Sequence, residues 1–87
     1  MYRNKIRIMS QKLYSIISEV MSIPTSEIND FSGPENIELW DSFNGLVLVD
    51  ELENYFQVKF TLDEVLDVKI VADIKIHLQT HGVSLDD

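Results

Sequence analysis

The run DSFNGLVLVDELENYF, from Asp41 to Phe56, decides the fold. Gly45, Leu48, Val49, Leu52 and Phe56 share one face at helical spacing, and nothing in the run alternates as a strand would. Asp41 or Ser42 supplies the N-cap, because a short side-chain oxygen there accepts an N–H that the first turn leaves unpaired. Phe43, Val47 and Asp50 fall on a different face that mixes apolar with acidic character. Gly45 costs helix propensity, so close packing against a neighbour is its expected purpose.

Upstream, residues 23 to 41 read as a long connection punctuated by Pro24, Ser26, Asn29, Asp30, Ser32, Gly33, Pro34 and Asn36. Ile28, Phe31, Ile37 and Leu39 are its apolar pegs. A connection of this length in a small domain is usually functional, and it is expected to be ordered and to hold a short helical turn. Before it, Ile6, Met9, Leu13, Ile16, Ile17 and Val20 mark an amphipathic helix from Tyr2 to Met21 or Ser22. Pro24 ends it by disfavouring helical geometry at Ile23.

Downstream, Gln57 to Phe60 reads as an extended link. Thr61 and Glu64 have the spacing of a capping box, opening a brief third helix to Asp67 or Val68. A last helix runs from about Val71 to Thr80, with Val71, Ile74 and Leu78 inward, Asp67 its best available cap and Gly82 its stop. The pattern predicts an all-α fold of three main helices, a short third helix and a long loop between the first two. It forms one domain over residues 1–87, with its core at roughly 6–80.

Composition narrows the function. There is no cysteine in the 87 residues, which removes disulfides, thiolate metal sites and a cysteine nucleophile. No apolar run approaches the ~18 residues of a membrane span, and the basic start lacks a signal-peptide core, so a cytoplasmic chain is expected. Fifteen acids against seven bases give a net charge of −8, unsuited to a nucleic-acid backbone. From Leu13 to Val58 there are nine acids and no Lys or Arg, a field that would steer partners bearing basic patches. The same charge would serve solubility alone.

Asp41-Ser42-Phe43 carries the candidate chemistry. A hydroxyl at a helix start lies near unpaired N–H groups and the positive end of the helix dipole, both of which favour an esterified phosphate. The Asp41 carboxylate beside it suits a divalent cation during phosphoryl transfer. Taken alone, Asp-Ser at a helix start is more often plain capping.

The wider context resembles the acyl carrier protein family of phosphopantetheine-binding domains over roughly residues 6 to 80. Asp41-Ser42-Phe43 looks like that family's Asp-Ser-Leu. Further likenesses are Leu46-x-Leu48-Val49-x-x-Leu52-Glu53-x-x-Phe56, the Phe56-Gln57-Val58-Lys59-Phe60 link (aromatic-Gly-x-x-apolar in the family) and Ile70-Val71-Ala72-Asp73-Ile74. The resemblance implies a four-helix bundle with a short third helix, serving as a non-enzymatic, monomeric carrier in fatty acid, polyketide or a more specialised biosynthesis. Ser42 would receive 4'-phosphopantetheine from coenzyme A through a phosphopantetheinyl transferase, and cargo would ride as an acyl or aminoacyl thioester. Loading and acyl-transferring enzymes would read Asp41, Phe43, Asn44, Val47, Asp50, Glu51 and Asn54, and Leu46 would border any acyl pocket. The chain departs from the pattern at Phe43 for leucine, at Trp40 where a small residue is common, and at Asp50 and Val47, whose characters are exchanged relative to many fatty-acid carriers.

The rival is an unmodified acidic helical interaction module in which Ser42 only caps. Other constellations are weaker. Asp73, His77 and His81 share a helix face, which reads as a solvated surface with two unrelated histidines before it reads as a zinc site. A Ser42–His hydrolase lacks a nucleophile elbow, and neither 29–33 nor 63–67 fits a calcium loop. Trp40, Tyr14, Tyr55 and the phenylalanines other than Phe43 are expected to pack in the core and loop.

Overall fold

A computed structural model describes the backbone from Tyr2 to Leu85 and the side chains from Ser10 to Leu85. Four helices follow in order: α1 (Tyr2–Met21), α2 (Ser42–Phe56), α3 (Leu62–Asp67) and α4 (Val71–Thr80). A single 3-10 turn at Thr25–Glu27 lies in the long loop. The fold is an all-α bundle with no strand among the described residues.

Leu13, Ile17 and Met21 of α1 are fully buried, as are Leu48 and Leu52 of α2 and Val71, Ile74 and Leu78 of α4, to within a few per cent. Ile16 and Val20 pack at the edge of this core, while Ile6 and Met9 lie outside the residues whose side chains are described. At the end of α1, Ser22 adopts a left-handed conformation with φ 57°. The chain then turns back, with the Ser18 hydroxyl donating to the Ile23 carbonyl.

The long loop is ordered by the backbone groups it supplies to α4. Val71 N–H donates to the Ser32 carbonyl at 2.8 Å and Ala72 N–H to the Asp30 carbonyl at 3.0 Å, which satisfies two donors of the first turn. The Lys75 ammonium closes the same joint, 2.8 Å from Asp30 and 2.5 Å from the Tyr14 hydroxyl of α1. Burial opposes the Lys75 charge, but the Asp30 and Tyr14 oxygens outweigh it and hold its pKa above the ordinary 10.5. Ile28, Ile37 and Trp40 reach the core.

Several expectations need correction. Phe31 is 74% exposed and Leu39 and Tyr55 are also exposed. Phe31 is turned out because Asn29 and Asn36 fix its backbone: its N–H donates to Asn29 Oδ1 and its carbonyl accepts from Asn36 Nδ2. Tyr55 sits on the flank of α2, its ring 5.3 Å from the Lys12 Nζ of α1. The cap of α4 is not Asp67. Asp73 in its own first turn accepts from the Lys69 and Ile70 N–H groups at 2.9 and 3.2 Å. The core also runs past residue 80, since Leu85 is buried and its carbonyl accepts from the buried Ser10 hydroxyl.

Candidate functional site: the start of α2 and its cleft

Asp41, not Ser42, caps α2. Its carboxylate accepts the Asn44 N–H at 2.8 Å and its carbonyl accepts Gly45 N–H at 2.8 Å. Ser42 is therefore the first helical residue. It is exposed, and its hydroxyl has no hydrogen-bond partner among the described residues. The serine is released from the structural duty that a capping role would give it.

Trp40 holds this corner rigid. Its side chain is 5% exposed and lies across Gly45, where a Cβ would stand 3.7 Å from the indole nitrogen. That is ordinary contact, so close packing does not demand the glycine. Asn44 is half-buried and committed locally: its amide donates to the Leu39 carbonyl at 2.7 Å. It fixes the end of the loop against the helix start.

Ser42 lines a cleft of about 610 Å³ between α2 and α3. Trp40, Leu46, Leu52, Val65 and Ile74 form much of its wall, with Asp41, Glu64 and His77 as polar lining. Its size falls within the ~300–1,000 Å³ typical of ligand pockets. Glu64 and His77 lie toward the end remote from Ser42. Glu64 accepts the Thr61 N–H at 2.8 Å, and the neighbouring Phe60 N–H reaches Glu53 at 2.8 Å. Glu53 is eleven residues along α2 from Ser42, roughly 16 Å at the rise of an α-helix.

Phe43 is 72% exposed and Leu46 62% exposed beside it. Asp41, Asp50, Glu51 and Asn54 are exposed as well, and Val47 is half-buried. The Asn54 amide approaches Asp50 at 3.5 Å. The outer side of α2 thus presents acids interleaved with apolar groups.

Sequence reasoning missed the company kept by the histidines. His77 Nε2 lies 3.0 Å from Asp67, His81 Nε2 lies 3.0 Å from Glu64, and the Phe60 ring meets the His81 ring edge-on at 5.5 Å. They are not unrelated surface groups; they join α4 to α3. Their ring nitrogens face carboxylates and none contacts Ser42. Among the described residues no three His, Asp or Glu side chains converge as metal ligands, and no helix is long and apolar enough to cross a membrane. No family model matches the chain. No curated protein matches it either.

Proposed function

We propose that the chain is an acyl carrier protein, with Ser42 as the attachment point for 4'-phosphopantetheine. The observation that carries this reading is an exposed, unpartnered Ser42 hydroxyl on the first turn of α2, on the lip of an apolar cleft. The residues present fit the group. The Ser42 and Phe43 N–H groups precede the first intrahelical bond and have no partner among the described residues, so they suit a phosphate oxygen.

When attached, the group supplies a terminal thiol on which an acyl or aminoacyl cargo is held as a thioester. This chain's own residues position and shelter. Asp41 fixes the helix start through Asn44 N–H and offers a carboxylate where a divalent cation would sit during attachment. Trp40 and Gly45 brace the corner, and the apolar cleft wall withdraws a cargo chain from water. Phosphopantetheinyl transferase and the loading and transferring enzymes, with basic patches, would dock on the acidic outer side of α2. Asp41, Phe43, Asp50, Glu51 and Asn54 are its exposed members.

Incubation of the purified protein with coenzyme A, Mg²⁺ and a broad-specificity transferase tests the proposal by intact mass. A gain of one phosphopantetheinyl group, absent from Ser42→Ala, is the expected result. Unchanged mass with several transferases would overturn it in favour of an unmodified acidic interaction module.

A further inference from the structure

We propose that Glu64 and Asp67 of α3, together with His77 of α4 and His81 at the cap that ends it, form a proton-controlled latch that holds α3 over the cleft. The latch is closed in weak acid and loosened above neutrality. Little else secures α3. It has six residues, none of them buried, and Leu62 and Leu66 point largely into solvent. Val65 is half-buried, and irregular segments flank the helix at 57–61 and 68–70. Among the described residues, the side-chain bonds that reach this helix's carboxylates from beyond its own Thr61 capping box come from the two histidines.

The geometry calls for charged imidazoles. His77 presents Nε2 to Asp67 at 3.0 Å and Nδ1 to Glu64 at 3.7 Å. A neutral imidazole has one N–H, so it can serve one carboxylate while its lone pair opposes the other; only the imidazolium suits both. His81 Nε2 is shared between the two Glu64 oxygens at 3.0 and 3.1 Å. Among the described residues no Lys or Arg pairs with Glu64 or Asp67. On α4, Asp73 is committed to the Lys69 and Ile70 N–H groups, and Lys75 to Asp30 and Tyr14. From α2, Glu53 is engaged by the Phe60 N–H and Lys59, and the link contributes the Phe60 ring against His81.

The window follows from the two kinds of group. The Thr61 N–H first, and His81 second, hold the Glu64 pKa below its ordinary 4.5. Its share of the latch is therefore present above 4.5 and lost as pH falls through the lower folded-state value. The upper edge is set by loss of the imidazolium proton, since a neutral His77 ring has one N–H for two carboxylates. Because Glu64 and His77 line the cleft, the latch governs access to it. The latch belongs to the unmodified chain and is independent of attachment at Ser42.

Amide hydrogen exchange on the unmodified protein at about pH 5.5 and about pH 8, corrected for intrinsic rates, tests the latch. Opening of Leu62–Asp67 should rise roughly 3- to 10-fold at the higher pH, as expected for losing one or two partly exposed ion pairs. Leu13–Met21 should show no such change. The double variant His77→Gln/His81→Gln keeps hydrogen-bonding side chains but no proton switch, so it should open alike at both pH values, and each single variant should keep a smaller pH response than the wild type. Uptake of the neutral dye N-phenyl-1-naphthylamine into the cleft should follow the same pH course in the wild type and lose it in the double variant. Equal α3 protection at both pH values in the wild type, or an undiminished pH response in a folded His77→Gln variant, would overturn the proposal.

Discussion

Two adjacent side chains at the start of α2 divide the labour of that corner. Asp41 gives its carboxylate to the Asn44 N–H, while Ser42 gives its hydroxyl to nothing in the described structure. Asp41→Ala should therefore lower unfolding free energy by about 1 kcal/mol, the usual cost of losing an N-cap. Ser42→Ala should stay within about 0.5 kcal/mol of the parent, as an exposed substitution without partners does. Urea titration followed by far-UV circular dichroism separates the two, and a larger loss for Ser42→Ala would reverse the assignment of the cap. Glycines differ as sharply. A Cβ on Gly33 would stand 2.1 Å from the Lys69 carbonyl oxygen, a backbone atom held by the junction with α4. One on Gly45 meets only the Trp40 ring, at 3.7 Å or more. Gly33→Ala should cost about 1–3 kcal/mol through overpacking, whereas Gly45→Ala should be neutral or stabilise α2 by up to about 1 kcal/mol. Thermal melts of the two variants would show opposite or clearly unequal shifts.

At the level of elements, what the sequence reveals is whatever one segment determines alone. The stripe through Leu13 and Ile17, the stop before Pro24, the Thr61–Glu64 capping box and the inward Val71, Ile74 and Leu78 each depend on neighbours within a few residues. What stays hidden is contributed by another segment. Gly33 reads as turn punctuation because Lys69 is far away in the chain, and Ser10 gives no sign that Leu85 returns to it. His77 and His81 share a helix face, but only α3 makes that face a joint. For the candidate site the division is the same: Asp41-Ser42 at a helix start is legible, whereas the cleft needs α3 in place. Two element ends differ in how well they are closed. Gln57 closes α2 at φ 58° and ψ 50°, the left-handed region that costs a residue with a Cβ. Gln57→Gly should raise stability by about 0.5–1 kcal/mol, measured as a shift of the urea midpoint with unchanged slope. Asp73 serves two N–H groups at the start of α4, and Asp73→Ala should remove about 1–2 kcal/mol by leaving both unpaired. Faster amide exchange in α4 than in α1 would locate the damage.

For the molecule as a whole, charge is the dominant long-range term. A net charge of −8 is carried on a body measuring 37 × 28 × 20 Å, so most acids lie within one or two screening lengths of another at low salt. Opposing this are the few cations in place, above all Lys75, whose ties to Asp30 and Tyr14 join the loop, α1 and α4. Since the Lys75 pKa is raised above 10.5, its contribution is complete below that value and is lost as pH climbs through the higher folded-state value. At neutral pH it is constant, and the salt response reports the balance between diffuse repulsion and local pairs. Repulsion acts across solvent and is screened strongly, whereas Lys75 is mostly enclosed and is screened less. Raising NaCl from about 10 mM, where the Debye length is ~30 Å, to about 150 mM, where it is ~8 Å, should therefore raise the melting temperature. Lys75→Met should melt lower at both salt concentrations while keeping the upward trend. A melting temperature that falls with added salt would mean that attraction between surface pairs, not repulsion among the acids, sets the electrostatic balance of this fold.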